Sequence, residues 1–122
     1  MNAYKKAQMD TLTGRELEAA VLTKAAILLK NCRDDWDASD RKSRLEDALK
    51  YNQLIWSLFQ GELSMPEHPL PRKLRQDILN LSVYIDKRIL DILAFPVAEK
   101  LSFIINANLN LAAGLRGSPS EE

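Results

Sequence analysis

Hydrophobic and polar positions along the chain follow a helical period, with no alternation of the kind a strand requires, and punctuation divides them into four blocks. The first block opens at Thr13-Gly14-Arg15-Glu16, a capping box in which threonine and glutamate each satisfy an otherwise unbonded amide, and runs to about Cys32. Its predicted buried arc is Leu17, Val21, Leu22, Ala25, Leu28, Leu29 and Cys32, interrupted by Glu18, with Ile27 on the polar side. An acidic connection, Asp34 to Asp40, contains Trp36, and Ser39 or Asp40 suits the N-cap of a second helix reaching about Leu63. Three prolines between Ser64 and Pro71 forbid continuation and set an extended loop. Pro71 fits the first turn of a third helix, which Pro96 ends after about Phe95. A fourth begins there and ends at Ala113, where Gly114 followed by Leu115 suggests a left-handed cap.

Two polar residues break this pattern. Asn52 lies within the apolar line Leu45, Leu49, Trp56, Phe59 and Leu63, and Asn108 within Val97, Leu101, Ile104, Leu111 and Ala112. A buried amide without partners costs about 1–3 kcal/mol, so each asparagine needs a specific hydrogen bond. An internal amide pair that fixes the register of helices two and four is one solution, and contact with a partner's backbone is the other.

Surplus apolar positions point outward. The third helix has one seam at Leu74, Ile78, Leu81, Ile85 and Ile92 and another at Leu79, Val83 and Leu90, while Leu54 and Leu58 lie opposite the main stripe of the second helix. Leu54, Leu58, Leu79 and Val83, together with the N-terminal segment Met1 to Leu12, are therefore the candidate lining of a partner groove. Arg72, Lys73 and Arg75 crowd the start of a helix, where cations oppose the dipole; they read as a solvated basic turn or as a docking point for an acidic partner segment.

Composition narrows the function. The 122 residues fit one all-α domain with an N-terminal segment at 1–12 and a polar tail at 116–122, and 46% hydrophobic content supplies a core for it. Lys plus Arg equal Asp plus Glu at 17 each, which counts against general binding of nucleic acid or an anionic membrane. No apolar run approaches the roughly 18 residues that span a bilayer, and no signal peptide opens the chain, so the expected location is cytoplasmic. No catalytic constellation, metal-ligand set or phosphate cradle occurs, so neither an enzyme nor a cofactor is expected. His68 reads as an exposed spacer in the proline loop, Cys32 as a small core hydrophobe, and the aspartates at 34, 35, 37 and 40 as a solvated cap, since the glycine and glutamate of a calcium loop are missing.

The order of these features carries a resemblance. Asn2-Ala3-Tyr4, the Asn-x-x-x-Trp of Asn52 and Trp56, the Leu-Pro-x-x-Leu-Arg of Leu70, Pro71, Leu74 and Arg75, and the Ile105-x-x-Asn108 leading to Gly114-Leu115 together resemble the FlaF family of flagellar biosynthesis regulators over nearly the whole chain. The chain departs from the family pattern at Leu109, where an arginine is common, and at Tyr84-Ile85. The resemblance implies a cytoplasmic helical protein needed for flagellin production and export, one that binds flagellin and acts with the translational regulator FlbT. Flagellin's terminal segments are amphipathic helices, and a hydrophobic groove suits such a cargo. Two other readings stay open: an RNA-binding regulator of flagellin message that uses Arg72, Lys73, Arg75, Lys87 and Arg88, and a scaffold that dimerises through the second seam of helix three.

Overall fold

The computed structural model describes residues 14–117, which form four α-helices: α1 (Gly14–Asp34), α2 (Arg41–Leu63), α3 (Arg72–Ala94) and α4 (Leu101–Leu115). A short 3-10 turn at Ala98–Lys100 follows Pro96 and leads into α4. The all-α expectation holds, and no strand occurs among the described residues. The predicted capping residue Thr13 and the segment Met1 to Leu12 lie outside the described residues.

Helix pairing follows from the side chains at each contact. The α1–α4 contact is the most extensive, and these helices run antiparallel: Arg33 Nη1 donates to Ser102 Oγ at 3.1 Å near one end, and Arg116 Nη2 donates to Thr23 Oγ1 at 3.1 Å near the other. Ala19, Ala25, Ala26 and Ala112 are all buried, and such small side chains let two helix backbones approach closely. That preference turns α1 by roughly 60° from the predicted arc. Leu17 and Leu28 are left exposed, while Ala19 and Ala26 take the interior beside Leu22, Ala25, Leu29 and Cys32. α2 packs on α1, and α3 packs on α2 while barely touching α4.

α2 buries Leu45, Leu49, Trp56, Phe59 and Leu63 as its pattern predicts, with Leu54 and Leu58 outside. α3 buries Ile78, Ser82, Ile85, Ile89 and Ile92. Leu74 is exposed because it lies one turn before Ile78, the first α3 residue that the core covers, and Val97, before the 3-10 turn, is exposed as well. Ser82 on this otherwise aliphatic face accepts from Gln60 Nε2 at 3.0 Å and donates to the Leu79 carbonyl at 2.6 Å. Gln60 also donates to Asp86 Oδ2 at 3.1 Å, so one amide holds α2 against α3.

The two asparagines meet in the centre. Trp56 Nε1 donates to Asn108 Oδ1 at 2.9 Å, Asn108 Nδ2 donates to Asn52 Oδ1 at 2.6 Å, and Asn52 Nδ2 donates to the carbonyls of Ala48 at 2.9 Å and Ala25 at 3.2 Å. All three side chains are fully buried. The polarity of this chain is dictated at both ends: an indole can only donate and a carbonyl can only accept. Each amide then has one orientation that satisfies its neighbours, and the chain ties α4 to α2 and α2 to α1. This is the internal amide pair anticipated from the sequence, extended to an indole on one side and to the backbone on the other.

Two ends differ from expectation. Pro71 (φ −55°, ψ 145°) is the N-cap of α3 and lies just before its first turn; its carbonyl accepts from Arg75 N at 3.0 Å. Gly114 is not a left-handed cap: α4 continues through it to Leu115, and Gly117, at φ 77°, is the residue in the left-handed region. The overrun is held by Leu115, which packs against the core, and by the bond from Arg116 to Thr23.

Replacing Asn108 by leucine leaves the Trp56 N–H and Asn52 Oδ1 buried without partners, at an expected loss of roughly 2–4 kcal/mol in denaturant unfolding. In a double-mutant cycle, N52L/N108L is expected to lose less than the sum of the single variants by about 1 kcal/mol or more, whereas additive losses would mean the amides do not interact. A Cβ at Gly114 meets nothing within 4 Å, so Gly114→Ala is expected to stabilise by about 0.5–1 kcal/mol; a loss would restore the cap assignment.

Candidate functional site

A groove of about 760 Å³ opens where the start of α1, the last turns of α2 and the proline loop converge. Leu58, Met65, Pro69, Leu70 and Leu115 give it apolar walls, and Leu58 and Met65 are each more than half exposed. Gly61 sits between them on α2. A glycine inside a helix costs about 1 kcal/mol relative to alanine, and here no packing requires it, since a Cβ would meet nothing within 4 Å. Its effect is to leave the groove open at the helix backbone.

The proline loop is held in shape by two side chains that sequence reasoning treated otherwise. Arg75 Nε donates to the Leu70 carbonyl at 3.1 Å and its Nη1 to the Met65 carbonyl at 2.9 Å, so this guanidinium is engaged with the loop. His68 is half-buried, and its Nδ1 accepts from Leu70 N at 3.2 Å; it is a loop strut, where an exposed spacer was expected. These contacts fix Leu70 and Pro69 as one wall.

Two carboxyls face each other in the groove. Glu18, the residue that interrupts the apolar run of α1, is hydrogen-bonded to Glu62 of α2. Burial pushes the Glu18 carboxyl up to about 7, the bond to Glu62 and its negative charge push the same way, and the Arg15 guanidinium opposes them. A proton held on Glu18 lets its O–H donate to Glu62 and removes the repulsion between the two charges.

The predicted groove residues separate. Leu58 lines the groove; Leu54, one turn earlier, is exposed beyond it; Val83 is exposed on α3 and Leu79 is half-buried there. Helix geometry explains the division. Gln60 reaches Ser82 and Asp86, so that side of α2 faces α3, and Leu58, two residues away, points roughly 160° round the helix, toward the start of α1. Val83, Leu90 and Leu93 form a separate exposed stripe along α3.

The basic residues do not act as one patch. Arg72 is exposed, Lys73 pairs with Asp77 at 2.8 Å, and Arg88 stacks over Phe103 at 5.4 Å on the α4 side. In the acidic connection Asp35 and Asp40 pair with Arg44 at 2.9 and 3.7 Å, Asp34 pairs with Lys30 and Arg33, and Arg41 lies 4.5 Å over the Trp36 ring. Cys32 is buried, and burial pushes its thiol up. Among the described residues no group of three or more His, Cys, Asp or Glu side chains is placed to hold a metal ion, and no helix is long and apolar enough to cross a membrane. Gly61, Glu62, Met65 and Leu115 are groove residues that sequence reasoning did not single out.

The Glu18 carboxyl gives a pH signature. Its folded-state affinity for a proton exceeds that of the unfolded chain, so its stabilising contribution is present below about pH 4.5 and is lost as pH rises through about 7. Unfolding by urea at about pH 5 and about pH 8 is expected to show Glu18→Gln gaining on the wild type as pH rises, and a gain in the opposite direction would contradict the carboxyl pair.

A family model described as flagellar protein FlaF matches residues 1–115. No curated protein and no solved structure matches the chain. The match covers all four helices, the proline loop and every residue of the buried amide chain, and on that extent the chain belongs to the FlaF family of flagellar proteins.

Proposed function

We propose that this chain is a cytoplasmic, non-enzymatic chaperone and regulator that binds flagellin and supports its synthesis and export. The observation that carries the reading is the open apolar groove between α1, α2 and the proline loop. Its exposed Leu58 and Met65 offer the kind of surface into which an amphipathic helix lays its apolar face. Flagellin's terminal segments have that character, and membership of the FlaF family supports a flagellar role. The α3 stripe of Val83, Leu90 and Leu93 is a second apolar surface, suited to a translational regulator of the FlbT type. The spread of the cations around α3 argues against the RNA-binding alternative, because phosphate contacts need a contiguous basic surface.

Titration calorimetry of the full-length chain against purified flagellin is expected to give saturable binding, with none to flagellin's untranslated leader RNA. Gly61→Leu fills the groove at a position open to a side chain, so it is expected to weaken flagellin binding by about tenfold or more without loss of stability. Arg72→Gln with Lys73→Gln is expected to change the salt dependence of affinity only where those side chains meet an acidic cargo segment. Binding of the leader RNA in place of flagellin would overturn the reading.

A further inference from the structure

Two facing carboxyls interrupt the apolar walls of the groove, and this contrast specifies more about the occupant than the groove's shape does. A wholly apolar helix would cover Glu18 and Glu62 and remove water from both, and covered carboxyls without a cation are costly. We propose that Glu18 and Glu62 together receive one lysine or arginine side chain, carried within the apolar face of the helical segment that occupies the groove. The proposal rests on the reading of the groove as a helix-binding surface and deepens it.

Charge complementarity is the argument. Of the charged or titratable groups that line the groove, α1 supplies Arg15 and Glu18, α2 supplies Glu62 and the proline loop supplies Glu67 and His68, while α4 contributes only the aliphatic Leu115. His68 Nδ1 already accepts from Leu70, and the apolar space beneath, which reaches Ile78 of α3, supplies no further cation. One guanidinium therefore stands against three carboxylates, and it does not prevail at Glu18, where burial and Glu62 hold the carboxyl up at about 7. A cation arriving on the occupant displaces the proton of Glu18 and donates hydrogen bonds to both carboxylates. Binding and proton release are then linked, so affinity for a lysine-bearing segment rises between about pH 6 and about pH 8.

Two synthetic amphipathic peptides of about four helical turns test this, identical but for lysine or norleucine at the centre of the apolar face. Titrated into the full-length chain at about pH 8, the lysine peptide is expected to bind about tenfold more tightly than the norleucine peptide, and to lose that advantage both at about pH 6 and in the E18Q/E62Q variant. Equal binding of the two peptides, tighter binding of norleucine, or binding of neither overturns the proposal. So does a dimer of the chain that closes the groove against both peptides. Flagellin measured alongside separates the two levels: flagellin binding that is indifferent to pH and to E18Q/E62Q leaves the chaperone reading standing and removes the cation, whereas failure of flagellin with the peptide preference intact removes the cargo and keeps the site.

Discussion

A donor-only indole in the dry centre of the bundle constrains most of what surrounds it. Trp56 has no exposure, and its N–H needs an acceptor that an aliphatic core does not supply. Asn108 provides the acceptor, but an amide brings two donors of its own, one of which then needs Asn52. Asn52 passes the requirement to the backbone carbonyls of Ala25 and Ala48. Three helices are thereby fixed relative to one another, because a slip of one turn in α2 or α4 would leave several buried groups unbonded at about 1–3 kcal/mol each.

With α1, α2 and α4 locked, α3 is left at the side, attached chiefly to α2 through its isoleucines and the Gln60 amide. It barely reaches α4, so the apolar residues on its outer flank stay exposed. At the other side of α2, the last helical turns and the proline loop diverge from the start of α1, and the space between them is the groove. The packing is therefore uneven: the core closes completely around Trp56 and incompletely at the end that carries Leu58, Gly61 and Met65.

Much of this was legible in the residues. Asparagines at core spacing announced a buried polar network, three prolines announced the loop, and Leu54 and Leu58 announced an outward apolar face. The partners of the amides were not legible, because hydrogen bonds across some fifty residues depend on how helices cross, which periodicity does not encode. The rotation of α1 is not legible in the pattern, because alanine counts there as a weak apolar residue, whereas at a close helix contact its small size is what brings it inside. Gly114 has the look of a cap, yet packing of Leu115 and the bond from Arg116 carry the helix through it. Leu58 and Val83 are both exposed as their spacing predicts, but only Leu58 lines the groove, since the pairing of helices decides which exposed faces share one. Glu18 stood out as an interruption, and only the position of Glu62 on a neighbouring helix gives that interruption a chemical meaning.

Hydrogen exchange of the two indole N–H groups, followed by NMR, tests the central constraint most directly, since Trp36, half-buried in the acidic connection, is a control within the same molecule. The Trp56 indole is expected to exchange only through global unfolding, at the rate of the most protected backbone amides, while that of Trp36 exchanges through local opening. Comparable, rapid exchange of both would mean that Trp56 is not held by Asn108, and the account of the bundle built on that bond would fail.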